Sequence, residues 1–354
     1  MAMKTDGGGL TLIYPENEKH PFKVNSVRPV GENLHIQQIK GTLTGQGWYQ
    51  RRGYSAQSLG TRLPSRQMQA ALRAARPDLV WVHELSPYSV GGMVMAKVAG
   101  RPVVVSTDVG KGNRNLFPLS VRIWHAAWGL LADGWIAQTP SALWPLGDNG
   151  QPRVAAYHAA DARKLAVRDA VGTSEMTVFV QVGRVSEAKG VDFLLKAFAH
   201  LRDSGCLNWK LLLIGDDSDG FGRSWVEKLG LRDHVELTGY LDGEKLMTKF
   251  GEGDVFTLAT RIDTYGAVVQ EAACMGMPLV VSQYAGAAEA VVVPGVNGWI
   301  VDPSNTEEYS DRLGKLTDAK TRLEFGKASR LMGEKLSASV RASAIWDWMK
   351  ENFL

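Results

Sequence analysis

The chain has 354 residues, 45% hydrophobic and 22% charged, a length that suits two domains and a composition that excludes disordered, collagen-like and low-complexity architectures. Two distant cysteines, Cys206 and Cys274, exclude a disulfide framework and a Cys-based zinc site. The net charge of +3 is unevenly spread: residues 1–165 hold 19 Lys/Arg against 10 Asp/Glu, and residues 166–354 hold 21 against 27, so the first half is suited to an anionic partner.

In chain order, Ser65 caps a helix whose apolar residues Met68, Ala71, Leu72 and Ala75 fall on one face, and Pro77 stops it. A strand at 79–82, a helix ending near Gly100 and a strand at 103–105 set up a helix–strand rhythm that reads as βαβ units in a parallel sheet. Segments 132–137 and 154–157 read as further strands. Residues 10–14 and 34–39 read as strands too, and only Gly7, Gly8 and Gly9 precede them as a glycine loop. The polar stretch 161–174 marks the domain junction. After it come a strand at 177–182, a helix with Val191, Leu194, Leu195 and Phe198 inward, and strands at 211–214, 235–237, 255–258, 279–281 and 299–301. The last helix, 339–353, carries Trp346 and Met349 at i, i+3 and is expected to return to the first domain. The expectation is therefore an α/β protein of two doubly wound, Rossmann-like domains. Residues 1–165 form one, joined by the C-terminal helix 339–354, and residues 166–338 form the other. Ligands of such sheets bind beyond the carboxyl ends of the strands, in a cleft between the domains.

Chemistry concentrates in 260–285. Asp263 and Glu271 are separated by seven residues, with Tyr265-Gly266 opening a helix directly after a strand. The N–H groups of Gly266, Ala267 and Val268 at that helix start are placed for a diphosphate. The two carboxylates would flank it and accept protons from sugar hydroxyls. Earlier, Gly183-Arg184 and Lys189-Gly190 sit in the run GRVSEAKG, where a glycine frees the turn and two cations serve a diphosphate.

These segments resemble the GT-B glycosyltransferases of the GT4 type, glycosyl transferases group 1. The shared marks are Asp263-x7-Glu271, the small-residue helix running to Gly276-Met277-Pro278, and the G-R-x4-K-G element. Weaker ones are Tyr284 to Glu289, the Asn297-Gly298 turn, and 237–241, which corresponds to the stretch flanking the nucleotide base. The likeness covers 177–316 closely and 64–160 loosely. It implies a retaining glycosyltransferase that moves a sugar from a nucleoside-diphosphate donor to an acceptor hydroxyl, in polysaccharide, lipopolysaccharide or glycolipid synthesis, without a metal or other cofactor. Asp263, Glu271, Arg184 and Lys189 would carry the chemistry, with the first acid, usually Glu, on the transferred sugar and the second on the ribose. Gly183, Gly239, Tyr240, Tyr265, Gly266, Ala267 and Val268 would bind the donor. Asp108, Lys111, Arg114 and His83 are candidates for the acceptor side.

Two other classes remain: an epimerase or hydrolase of the same fold, and a non-catalytic nucleotide-sugar binder. A Rossmann oxidoreductase is disfavoured, because no G-x-G-x-x-G follows a first strand. His125 and His158 read as structural, and Trp124, Trp128 and Trp135 as core rather than a membrane-facing stripe. The run Asp216 to Asp219 reads as a turn after a strand, not a metal site. No apolar run approaches the roughly 20 residues of a membrane span, and residues 1–10 have no signal-peptide core. The expected location is the cytoplasm, with a peripheral contact through the basic half to the inner face of an anionic plasma membrane. Neither nucleic acid nor a metal is expected as a partner.

Overall fold

The structure is a computed structural model that describes residues 10–15, 34–39, 42–44, 61–63, 66–107, 119–139, 142, 151–155, 176–336 and 338–354. Strands β1 (Leu10–Pro15) and β2 (Leu34–Ile39) pair in parallel, and the short β3 (Thr42–Thr44) and β4 (Thr61–Leu63) pair antiparallel. Helix α1 (Arg66–Ala75) leads into a four-stranded parallel sheet of β5 (Val80–His83), β6 (Val103–Thr107), β7 (Gly134–Ala137) and β8 (Arg153–Ala155), in that order. Helices α2 (Pro87–Val98) and α3 (Leu119–Gly129) make the crossovers. Strands β6 and β7 are buried along their whole length, which is why they read as continuous apolar runs rather than alternating ones.

The second sheet holds six parallel strands in the order β11-β10-β9-β12-β13-β14. They are β9 (Thr177–Val182), β10 (Trp209–Ile214), β11 (Val235–Gly239), β12 (Val255–Leu258), β13 (Leu279–Ser282) and β14 (Gly298–Val301). Between them run α4 (Val191–Asp203), α5 (Phe221–Lys228), α6 (Gly243–Gly251), α7 (Ala267–Cys274) and the short α8 (Ala288–Val291). Side chains alternate across the sheet. Phe179, Leu211 and Leu213 pack with Leu194, Leu195 and Phe198 of α4, whereas Val180, Leu212 and Ile214 pack with Val269, Ala272 and Ala273 of α7. After β14 come α9 (Thr306–Lys315), α10 (Ala319–Lys335) and α11 (Ala338–Phe353).

Strand order reverses between β9 and β12, and the ladder joining them spans only Val255–Phe179 and Phe256–Val180. Their carboxyl ends therefore part, and such a reversal opens a crevice for ligands.

Helix α11 does not stay with the second sheet. Ile345 and Met349 are buried against Val104 of β6 and Ile136 of β7, and a side chain at Gly134 would overlap the Phe353 ring. The opposite face of the first sheet is covered by α2 and α3. There Trp124 donates its indole N–H to the Leu85 carbonyl at 2.6 Å, and the buried Trp135 donates to Gln151 at 2.9 Å. All three tryptophans thus serve the core.

Most strand ends lie within one or two residues of the sequence reading, and two strands start two residues away from it. Strand β7 starts at Gly134 rather than 132, because the Asp133 carboxylate accepts the Val103 N–H at 2.7 Å and the Lys97 ammonium at 2.5 Å, closing a turn instead of a ladder. Strand β10 starts at the buried Trp209, two residues earlier than read, because the intervening Lys210 points to solvent. The junction at 161–174, the glycines at 7–9 and His158 lie outside the described residues.

Truncating Met349 to Ala should remove contacts that close the first sheet. We expect a loss of about 2–5 kcal/mol, measured by urea unfolding. An unchanged midpoint would show that α11 contributes little to that sheet.

Candidate functional site

Two loops meet at the crevice, 183–190 after β9 and 259–266 after β12. Their contact begins with Gly190, at φ +66°, where a side chain would overlap the Ala259 carbonyl. Only glycine permits both this left-handed backbone and this approach. The backbone N–H of Arg261 then donates to the Ala188 carbonyl at 3.0 Å, and the Thr260 hydroxyl to the same carbonyl at 3.2 Å. The Arg261 guanidinium grips the buried Asp192 carboxylate with two bonds of 2.7 and 2.8 Å and donates to the Glu187 carbonyl at 2.5 Å. It also lies 3.8 Å from the centroid of the Phe193 ring. Burial pushes the Asp192 carboxyl up, but the Arg261 hydrogen bonds and charge, with Lys196 nearby, outweigh it and hold the group below its ordinary value.

So braced, the loops bring Lys189 Nζ within 2.5 Å of Asp263 Oδ2, with both side chains partly exposed. Asp263 is also held by its backbone: its N–H donates to Tyr284 and its carbonyl accepts from Gly286, each at 3.1 Å. Gly286 passes so close to Thr264 that a side chain there would overlap the Thr264 carbonyl. Gly266, at φ +82°, is the N-cap of α7, so the N–H groups of Ala267 and Val268 have no acceptor within the helix. Glu271 follows one turn in and is half-buried.

The neighbouring strands end in step. The Gly183 N–H donates to Ile214 at 2.9 Å, and the Gly215 N–H to Gly239 at 3.0 Å, so β9, β10 and β11 stop along one edge. Arg184 on that edge is exposed. Tyr240, directly after Gly239, is 74% exposed and presents a ring on which a planar base can stack.

The structure brings together Asp263, Lys189, Gly266, Ala267 and Val268, with Glu271 on the helix behind them and Gly183, Arg184, Gly239 and Tyr240 along the same edge of the sheet. Tyr265 is a correction: its side chain is buried in the core beneath α7 and its hydroxyl donates to Gln270 at 2.7 Å, so it offers a ligand no side chain. The helix start needs an apolar anchor below it, and Tyr265 provides that. Asp216 and Asp217 accept backbone N–H groups from Ser218, Gly222 and Arg223 and so shape the entry to α5. Asn297 is a buried brace, bonded to Val293 and Val291, and Glu289 is exposed on α8. His83 stands exposed at the end of β5, its Nδ1 3.0 Å from the buried Ser106 hydroxyl, on the first sheet rather than beside Asp263. His125 lies in α3, where burial lowers its pKa. Asp108, Lys111 and Arg114 lie outside the described residues. Sequence reading missed Arg261 and Asp192. The available signal was an acid in the first turn of a helix right after Lys-Gly, and an Arg two residues before the first motif acid.

Residues 167–332 match the family model of glycosyl transferases group 1. The chain is 30% identical over 162 residues to the alpha-D-kanosaminyltransferase of Streptomyces kanamyceticus, covering 45% of this chain and 41% of that one. It is 28% identical over 236 residues to a sulfoquinovosyl transferase of Arabidopsis thaliana, covering 63% and 44%. The chain thus spans less than half the length of these relatives. In structure it is similar to Anabaena HepE in complex with UDP, with a TM-score of 0.74 at 15% identity over 97% of this chain and 100% of that one. The fold is GT-B.

Two measurements test the bracing. Gly190→Ala combines an unfavourable φ with a backbone overlap and should destabilise by at least about 2 kcal/mol, read as a lower unfolding midpoint. Because the folded Asp192 value is depressed, its pairing stabilises fully above the ordinary value of 3.8 and is lost as pH falls through the lower folded value. The stability gap between the native chain and Asp192→Asn should therefore be flat near neutrality and close in strong acid. A gap unchanged in acid would show that ionisation of Asp192 is not what braces the loops.

Proposed function

We propose, from the match of residues 167–332 to the family model of glycosyl transferases group 1, that the protein transfers a sugar from a nucleoside-diphosphate donor to an acceptor hydroxyl. We further propose retention at the anomeric carbon, no metal requirement, and an acceptor that is a glycan or a lipid-linked precursor of polysaccharide, lipopolysaccharide or glycolipid. The observation that carries this reading is the Lys189–Asp263 contact across the strand reversal, beside the open helix start at Gly266.

As the bond from the anomeric carbon to the diphosphate breaks, negative charge builds on the leaving phosphate. Lys189, Arg184 and the N–H groups of Ala267 and Val268 would oppose that charge. To reach the phosphate, Lys189 exchanges Asp263 for it, which releases the Asp263 carboxylate to accept a hydroxyl of the transferred sugar. Glu271 would accept the ribose hydroxyls. The acceptor oxygen bonds to the anomeric carbon on the face the phosphate leaves, and its proton passes to the departing phosphate. No side-chain nucleophile is required, and positioning supplies much of the acceleration. We also assign the protein to the cytoplasmic side of a membrane. Among the described residues no helix is long and apolar enough to cross one.

A thermal-shift panel of UDP, GDP, ADP and their sugar conjugates tests the donor site. A ligand at about 100 times its dissociation constant stabilises by about 2.7 kcal/mol, and Glu271→Ala should abolish that shift. Lys189→Ala should lower transfer about 10²–10³-fold while the chain stays folded. Asp263→Asn should bind the nucleotide at least as tightly as the native chain, because Lys189 no longer has a competing carboxylate, yet transfer poorly. Near-native transfer in both Lys189→Ala and Glu271→Ala would reject the assignment, and sugar release that no acceptor diverts would identify a hydrolase instead.

A further inference from the structure

Gln270 lies in the middle of α7 and is 1% exposed. An aliphatic side chain would fill such a position without needing polar partners, so the amide is explained by what it joins. Its carbonyl oxygen accepts the Tyr265 hydroxyl at 2.7 Å, and its nitrogen donates to the Leu336 carbonyl at 3.4 Å. The first partner directly precedes Gly266, the N-cap of α7. The second is the C-cap of α10. Two residues after Leu336, α11 begins and runs to the first sheet, where Ile345 and Met349 pack on Val104 and Ile136. One buried side chain therefore connects the start of the helix that carries Glu271 with the point where the chain leaves for the other sheet.

The packing around this connection is tight enough to carry a displacement. Gly333 passes so near Cys274 that a side chain there would overlap the Cys274 backbone, and Leu336 is buried in the same cluster as Tyr265, Val269 and Ala272. Close-packed interiors of this kind have little give. The hydrogen bonds add a penalty for separation, because pulling either partner out of reach leaves polar atoms unpaired in a low-dielectric core. At Tyr265 the displacement meets the site itself: its carbonyl accepts the Ala287 N–H at 2.6 Å, and Asp263 and Gly266 lie within two residues of it. We propose that Gln270 is a positioning residue for the transfer. Through Tyr265 it fixes the helix start and Asp263, and through Leu336 it makes donor affinity depend on how α11 is anchored to the first sheet. The inference deepens the proposed function and rests on it for the identity of the donor site.

The test is a double-mutant cycle on donor affinity. The probe is whichever of UDP, GDP and ADP gives the largest thermal shift, titrated calorimetrically into the full chain well below each variant's unfolding midpoint. Met349→Ala loosens α11 and should raise the dissociation constant about 3- to 20-fold. Gln270→Leu should raise it by a similar factor, and adding Met349→Ala to it should cost nothing further, because the connection is already broken. Tyr265→Phe keeps the ring in the core and removes only the hydroxyl. It should reproduce the affinity loss of Gln270→Leu and likewise cancel the effect of Met349→Ala, and it decides the matter alone if Gln270→Leu does not fold. A purely structural role would lower unfolding midpoints and leave the affinity of the folded chain native. Native affinity in any of the single variants, or losses that multiply when combined, would overturn the proposal while leaving the donor site standing. A native chain that binds none of the three nucleotides would reject the donor site and the coupling together.

Discussion

The backbone of Gly190 rests on the carbonyl of Ala259, and the rest of the site depends on that contact. Any side chain at 190 would push the loop after β9 away from the loop after β12. The Arg261–Ala188 and Thr260–Ala188 bonds would then have no geometry in which to form, and Lys189 could not reach Asp263. A steric requirement at one residue thus precedes every electrostatic interaction in the crevice.

The two ion pairs that follow have different tasks. Arg261 with Asp192 is bidentate, with the carboxylate buried, so breaking it would strand a buried charge. It is a fixed brace. Lys189 with Asp263 is partly exposed on both sides, and pairs of that kind contribute on the order of 1 kcal/mol or less. Such a pair can be traded for a phosphate at little cost. The site therefore keeps its strong pairing behind the loops and its exchangeable pairing at the mouth.

A similar division runs through the first sheet. One face is closed by α11, some 200 residues downstream of β7 in a chain of 354, and the other by α2 and by the inner side of α3.

Much of this was legible in the residues. The strands of the second sheet are short apolar runs separated by helical patterns and glycine turns, and local periodicity is enough to read them. Asp263, Gly266, Glu271, Arg184 and Lys189 stood out because their spacing, Asp263-x7-Glu271 and G-R-x4-K-G, resembles that of glycosyl transferases group 1; singly, each could be ordinary turn or capping chemistry. The sequence by itself determined the α/β class, the parallel rhythm and the position of these groups at strand ends, since each follows from local periodicity and turn chemistry. Only the tertiary structure decided which strands are neighbours, hence that Lys189 meets Asp263 across β9 and β12, that Arg261 reaches back to Asp192, and that Tyr265 turns inward. Those are contacts between residues distant in sequence, or choices between two faces of one element, and neither is encoded in any local pattern.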